Sequence, residues 1–590
     1  MVAVLLLSVA TMPLQPELTI IGNHDGSNHE GFVHFGKHMK TKSVSAVSPL
    51  LFALRDDTVD RILLAPGRYT VGSTLVLKRS VVLEAEVAGT VVLRGNSSCP
   101  FGVFEGDAHG DPAHGDPECK HVSERVIDVP PGVLSELQLE FIGLNITGGY
   151  AVDGNGGGIR ISGGRARFTN CNIYENVAQT GSRGAPSEDT PTGGGGGLAI
   201  EGAAVVNFTG CNIHNNNVLG GSGAGVLIRG GTARFSRCKI SHNGNPPHFK
   251  VPVRRAGGGL RIEGGAVVVD GCSLNSNRGS GLAMFGESTV LVNDSKIYDN
   301  NATEGGGVHQ ASLASVLTIE TSKIYRNNAT AGGGLSVGNA SISDSEIFAN
   351  AAVEGGGLYV TKKALVVLTG SQIYENKAAS AGGGAFVFHL AKAVLTNSTV
   401  KENAVSAGHG KGSGSGIYAH CSSTVRLIRD SFVSNPPKSG GDDVFVQHVT
   451  DPGDTDAKAY CSARPAMDLA VTSVCIEEDV AGQTIIRTSR FSANVSVQCP
   501  EELDDPDGPS ASGCLTGRSC APATLGAVLI VFLIAVAGGL VLCGCYYHKK
   551  ADTDEASGLV SGKPSFRCDP GSCIIACIGL CVRDEPKPRK

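Results

Sequence analysis

Few residues in this sequence have the types and spacing that chemistry would need. His409 stands between Gly408 and Gly410, and Asp442 and Asp443 follow as adjacent carboxylates. A carboxylate pair can protonate a glycosidic oxygen and activate water, so this string is the sharpest enzymatic feature of the chain. Its surroundings favour a structural role. His409 lies in a glycine-rich turn insertion, and "SGGDDVFV" has the form of a closing turn and strand. Calcium-dependent chemistry on acidic sugars would need two or three carboxylates aimed at one point with a basic residue beside them, and the sequence has no such column. Between Asp107 and His121, the residues His109, Asp111, His114, Asp116, Cys119 and His121 are of metal-ligating types. The tandem His-Gly-Asp-Pro spacing reads instead as a loop, which Cys99 and Cys119 could tie off. No catalytic residue, metal site or cofactor is therefore assigned.

Two features are better suited to binding. Tyr298, Tyr325, Phe348 and Tyr374 each follow an apolar residue at the same place in successive repeats, and by strand alternation they face outward. They predict an aromatic stripe roughly 15 Å long, whose rings could stack on sugars, on a partner chain or on one another. The second feature is a pair of insertions, residues 177 to 192 and 244 to 256. The latter gathers His248, Lys250, Arg254 and Arg255 into a basic loop that could meet acidic glycans or simply be solvated.

The elements that must position these residues form a repeat. An apolar residue followed three places later by Asn recurs ten times, from Ile173/Asn176 through Ile297/Asn300, Ile324/Asn327 and Ile347/Asn350 to Phe432/Asn435, several of them 23 to 27 residues apart. Glycine runs such as Gly156 to Gly158 and Gly332 to Gly334 precede short apolar strands. With 81 glycines in 590 residues and 18% charged residues against the roughly 25% of ordinary domains, one repetitive architecture is expected. The period predicts an all-β fold, a parallel β-helix with one coil per unit. Asn is expected to take the left-handed corner and to form an amide ladder, with the glycines at the opposite corner. Two places before the anchor, Cys171, Cys211, Cys238 and Cys272 give way to Ser295, Ser322, Ser345, Ser371 and Ser398. Coils about 4.8 Å apart would allow either pairwise disulfides or buried thiols in this column.

The segment "RILLAPGRYTVGSTLVLKRSVVLEAEVAGTVVLRG", with its Pro66-Gly67-Arg68-Tyr69 turn, resembles the opening of right-handed parallel β-helix, or pectin-lyase-like, proteins. The resemblance implies a capping helix near residues 43 to 56 ahead of the first coils. The Gly and Ile-x-x-Asn units from 141 to 436 are similar to the repeats of chlamydial polymorphic outer-membrane proteins. Ile usually replaces Phe at the anchor, and a single apolar segment stands in place of a C-terminal barrel, which suggests a single-pass surface protein. The fold hosts lyases, hydrolases, esterases and adhesins, so it does not decide function. Gly408-His409-Gly410 looks like the Gly-His-Gly motif of polygalacturonases, but there the Asp pair precedes the motif and an Arg-Ile-Lys motif follows, neither of which holds here.

Compartment follows from the ends of the chain. Residues 524 to 545 are uncharged and apolar and are followed by Tyr546, Tyr547, Lys549 and Lys550, which predicts one C-terminal transmembrane helix with residues 546 to 590 as a cytoplasmic, Cys-rich tail. Val2 to Ala10 resemble an atypical signal segment within residues 1 to 30. Nine Asn-x-Ser/Thr acceptors precede the span, at Asn96, Asn145, Asn207, Asn293, Asn301, Asn328, Asn339, Asn397 and Asn494, in keeping with a glycosylated ectodomain. Residues 31 to 450 are assigned to the β-helix and 451 to 520 to a Cys-containing cap and stalk, with disulfides among Cys461, Cys475, Cys499, Cys514 and Cys520. Cys543 and Cys545 are acylation candidates. A net charge of -6 leaves no basic field for nucleic acid. These readings together predict a plasma-membrane or other secretory-pathway protein, N-terminus outside. It would bind a glycan or another surface protein, with a membrane-tethered polysaccharide lyase or hydrolase as the alternative.

Overall fold

The computed structural model describes residues 39–96, 124–179, 194–219, 223–244 and 257–406, apart from 134, 153 and 362, together with 414–419, 423–428, 431–433, 444–446 and 473–477. All of them fall in the first of two compact units, Met1–Glu501. The predicted signal segment, cap and stalk, membrane span and tail lie outside the described residues, apart from the strand Ser473–Glu477. Among the described residues no helix is long and apolar enough to cross a membrane.

The described chain is a parallel β-helix, as the repeat predicts. Three long sheets run along it: sheet A with 15 strands, and sheets B and C with 13 each. Each full coil visits them in the order C, A, B. One coil, for example, passes from Leu198–Glu201 in sheet C to Val205–Thr209 in sheet A and Asn212–His214 in sheet B. Every strand pairs in parallel with the equivalent strand of the next coil, as in Ile173↔Ile213 and Ile213↔Ile240. The inner face of the coils is a single apolar cluster running from Val44 to Leu427. Within it Phe141, Phe168, Phe208 and Phe235 stack at 4.5, 4.9 and 4.7 Å, a column that the Ile-x-x-Asn repeat does not reveal.

The capping helix α1, Val47–Arg55, lies within the expected stretch and buries Leu50 and Ala53 over the first coil. Its last carbonyls are met by Arg79, which donates to Ala53 O at 2.8 Å and Leu54 O at 3.0 Å. Tyr69 of the Pro-Gly-x-Tyr turn is buried, and its hydroxyl donates to Val44 O and Ala65 O at 2.9 Å.

The corners require two corrections. The left-handed residue is not the ladder Asn but the one before it: Glu175, Asn215, His242, Ser276, Asp299, Arg326, Ala349, Glu375 and Glu402 all have φ between 52° and 56°. The Asn side chain is needed inside instead. From Asn176 to Asn403 each is at most 1% exposed. Asn327 is typical: its Nδ2 donates to Ile297 O of the preceding coil at 2.9 Å and to Asn350 Oδ1 of the next at 3.1 Å, while its Oδ1 accepts from Asn300 N at 3.0 Å. Nor do the glycine triplets occupy the opposite corner. They close the loop that opens at the Asn, and the third glycine of each run lies beside the ladder, where only a residue without Cβ fits. A Cβ on Gly158 would lie 2.7 Å from Asn176 Cγ.

At the corner between sheets A and B the Cys and Ser column forms a second ladder. Cys171 N donates to Cys211 Sγ at 3.4 Å, Cys272 N to Ser295 Oγ at 3.0 Å and Ser295 N to Ser322 Oγ at 3.1 Å. All four cysteines are buried free thiols, which resolves that column against disulfides. Sulfur and oxygen do the same work here. Replacing Cys171, Cys211, Cys238 and Cys272 together with serine is therefore expected to shift the melting temperature by only a few degrees. The native thiols should resist a water-soluble disulfide reagent until the protein is denatured. Rapid labelling at any of these four positions in the native protein, read by peptide mapping, would contradict this burial.

Candidate functional site

The outer face of sheet B carries two side-chain columns, because alternate residues of each three-residue strand point away from the core. The first runs Asn145, Asn172, Asn212, Lys239, Ser273, Lys296, Lys323, Glu346, Gln372 and Thr399. The second, in the same registers, runs Thr147, Tyr174, His214, Ser241, Asn275, Tyr298, Tyr325, Phe348, Tyr374 and Lys401. The predicted stripe is thus one uninterrupted row on four consecutive coils.

Its rings stack on one another at 4.9, 4.8 and 4.8 Å, with interplanar angles of 3°, 9° and 1°. The coil rise equals a comfortable stacking distance, so equivalent rings in adjacent coils become each other's partners. The two inner rings therefore have a neighbour on both faces, and what they offer outward is edges, with the Tyr325 hydroxyl. Charges flank the row in neutral pairs. Arg326 holds Asp299 through two bonds of 2.8 Å, and Lys323 meets Glu346 at 2.7 Å. Glu346 also accepts from the Tyr374 hydroxyl at 2.7 Å. Lys323 holds the Glu346 carboxyl below its usual range, while burial and then Glu346 push the Tyr374 phenol up. Lys401 closes the C-terminal end of the row, its Nζ 5.0 Å from the Tyr374 ring.

Three arrangements escaped the sequence. Tyr174 and His214 form a second short stack on sheet B, at 5.2 Å and 3°. On the outer face of sheet C, Tyr359, Phe386 and Tyr418 stack at 5.4 and 4.9 Å. The signal for these was available in "GGGLYV", "GGGAFV" and "GSGIYA", one place after the first apolar residue that follows each glycine run. Also on sheet C, Glu263 bridges Arg229 at 2.7 Å and Arg261 at 2.6 Å, and Arg261 lies 3.8 Å over Phe285. Arg261 is 4% exposed and shares the one Glu263 carboxylate with Arg229 of the preceding coil, so this cluster braces neighbouring coils.

The basic loop residues His248, Lys250, Arg254 and Arg255 lie outside the described residues, as do His409, Asp442, Asp443 and the His-Gly-Asp-Pro segment. The ends of both insertions are described. Each opens between a sheet B strand and a sheet C strand, after Asn172–Tyr174 and after Lys239–Ser241, so both leave the rod at the same corner. Among the described residues no group of three or more His, Cys, Asp and Glu is arranged to hold a metal ion.

The nine glycan acceptors separate by geometry. Asn96, Asn301, Asn328 and Asn397 are exposed, and Asn207, Asn293 and Asn339 are half-buried. Asn145 is 8% exposed and its Nδ2 donates to Gly89 O at 2.7 Å and Val91 O at 3.0 Å, so this amide cannot carry a glycan in the folded coil. Asn494 lies outside the described residues, with Cys543 and Cys545.

Comparison with known proteins places this geometry. The family described as "Right handed beta helix region" matches residues 138–317 and 304–433. Solved structures similar to this chain include the Dettilon tailspike protein gp208, 12% identical with a TM-score of 0.36, the match covering 68% of this chain and 64% of that one. The chain thus spans just under two thirds of the tailspike's length. The A-module of the Azotobacter vinelandii mannuronan C-5 epimerase AlgE6 is 14% identical with a TM-score of 0.34, covering 68% of this chain and 93% of its own. PfbA, a surface adhesin of Streptococcus pneumoniae, is 11% identical with a TM-score of 0.27, covering 68% and 88%. No curated protein matches the sequence.

Proposed function

The chain belongs to the right-handed β-helix family, and on that scaffold we propose a single-pass cell-surface glycoprotein whose ectodomain recognises carbohydrate along the outer face of sheet B. One observation carries the reading. Four aromatic side chains and their paired charges form a straight row along the rod axis, so the surface repeats at the coil spacing and suits an extended polymer. Ring edges at the coil spacing, with the Tyr325 hydroxyl among them, provide apolar and polar contacts for successive units of a glycan. The surface location rests on the uncharged stretch 524 to 545 with its following lysines, on four exposed glycan acceptors and on the repeat's resemblance to chlamydial polymorphic outer-membrane proteins. Acylation at Cys543 and Cys545 would hold the tail against the membrane.

The test is a broad glycan-array screen of the full-length protein, with product analysis of any polysaccharide that binds. Binding without cleavage supports the proposal. Shortened or unsaturated products would make the protein a polysaccharide-degrading enzyme, and capture of a surface protein without any glycan would make it a protein adhesin. Replacing Tyr325 and Tyr374 together with serine is expected to weaken glycan binding at least tenfold, the order of two lost aromatic contacts. Affinity equal to wild type in a variant that still folds would mean that the row serves packing alone.

A further inference from the structure

The outer face of sheet A changes character along the rod. Its early coils carry charges that neutralise one another, Arg167 meeting Glu140 at 3.7 Å and Arg234 meeting Asp270 at 3.2 Å. From Thr289 onward the same face turns apolar. Its middle outward column runs Leu291, Thr318, Ser341, Val367 and Val394, one residue per coil. The column beside it runs Thr289, Val316, Asn339, Leu365 and Lys392, of which only Lys392 is charged. Leu313, at the corner ahead of Val316, and Val316 itself are 41% and 42% exposed, so no part of the chain covers them.

Counted from Ser341, this face reads nearly alike in both directions. One coil away lie Val316 and Thr318 on one side and Leu365 and Val367 on the other, and two coils away lie Leu291 and Val394. The charges at its ends are opposite. Glu287, just ahead of Thr289, and Lys392 sit two coils from Ser341 on either side, and both are exposed and form no ion pair. Opposite charges at equal distances from a small central residue are what a two-fold axis brings together.

We propose that a second copy of this chain docks on the face, antiparallel, with the two-fold axis at Ser341. Leu291 and Val316 of each copy then pack against Val394 and Leu365 of the other, and Glu287 of each meets Lys392 of the other. Five coils of five-residue strands give a flat area of roughly 24 Å by 17 Å on each copy, at the small end of specific interfaces, so the dimer forms at micromolar concentration. The two glycan acceptors within the face have their amides engaged. Asn339 Nδ2 donates to Leu313 O at 2.8 Å and its Oδ1 accepts from Leu365 N at 3.1 Å, while Asn293 Nδ2 donates to Asp270 Oδ1 at 2.9 Å and its Oδ1 accepts from Thr321 Oγ1 at 3.0 Å. The coils thus keep glycan off the surface that pairs. The inference does not depend on the carbohydrate reading, which concerns sheet B.

Sedimentation of the full-length protein in detergent, over a range of concentrations, tests it. Wild type is expected to pass from monomer to dimer. Val367→Arg should weaken the dimer at least tenfold with an unchanged melting temperature, because Arg167 and Arg234 already occupy the same column in earlier coils. Glu287→Lys and Lys392→Glu should each weaken it about threefold, and the two together should restore it, since the pair is remade with its signs exchanged. A wild type that stays monomeric at about 100 µM, well above micromolar dissociation constants, overturns the proposal. So do dimers that Val367→Arg leaves intact, which would be held by another part of the chain. Failure of the double charge reversal to rescue overturns the two-fold register. Peptide mapping of the native protein should find Asn339 unmodified, and a glycan there would block the face and overturn the interface. Should Val367→Arg fail to fold, Ser341→Arg at the axis tests the same contact.

Discussion

Replacing Asn327 and Asn350 together with leucine is expected to destabilise the β-helix by on the order of 5 kcal/mol, a large share of the 5–15 kcal/mol that a typical domain possesses. Leucine has nearly the shape of asparagine, so packing changes little and the loss is one of hydrogen bonds. The exchange removes the partners of four backbone groups inside the corner. Asn300 N and Asn327 N lose the Oδ1 acceptors at 3.0 Å, and Ile297 O and Ile324 O lose the Nδ2 donors at 2.9 Å. Water cannot replace them, because both asparagines are at most 1% exposed. Urea denaturation followed by circular dichroism reads the effect. A midpoint equal to wild type would show that the ladder contributes nothing.

Gly334→Val should abolish folding altogether. A Cβ at this position would stand 2.6 Å from Gly357 O and 3.0 Å from Asn350 Nδ2. The first is a backbone atom of the next coil and the second is held in the amide ladder, so neither can rotate away as a free side-chain tip would, and relief requires the coils to part. The expected cost exceeds about 4 kcal/mol, the range associated with named structural failures. Gly72→Ala is the matched control, since a Cβ there meets nothing within 4 Å. Soluble yield and resistance to limited proteolysis separate the two. Wild-type behaviour in Gly334→Val would mean that the triplet corner is looser than these distances imply.

The architecture was legible because one unit is written many times. Ile at the anchor, Asn three places on and a glycine run ahead of the next strand define a coil, and the register Ile297↔Ile324↔Ile347 follows from that spacing. Stripe membership was legible for the same reason, since Tyr298, Tyr325, Phe348 and Tyr374 hold one offset from the anchor. What periodicity does not encode is the third dimension of a corner. Whether Asn327 or Arg326 takes the left-handed backbone depends on which side chain must turn inward, and that is settled by the carbonyl of the preceding coil. The side on which the glycines sit is likewise a matter of contact with Asn, not of spacing. The use of ring faces was also hidden. A sequence places four aromatics in a row, but only the coil rise determines that they consume each other's faces and leave Tyr298 with one to spare.

The hydroxyl ladder of the A-to-B corner has a consequence for how such a chain changes over generations. Ser295, Ser322, Ser345, Ser371 and Ser398 each accept or supply the same bond to the next coil, at steps of 23 to 27 residues. A gene deletion that removes residues 322 to 344 would bring Ser345 into the place of Ser322, and the Asn column would rejoin in the same stroke, Asn350 taking the place of Asn327. Duplication does the reverse. The rod can therefore be shortened or lengthened in whole steps of about 4.8 Å without new chemistry at the junction, which makes its reach a heritable length, counted in copies.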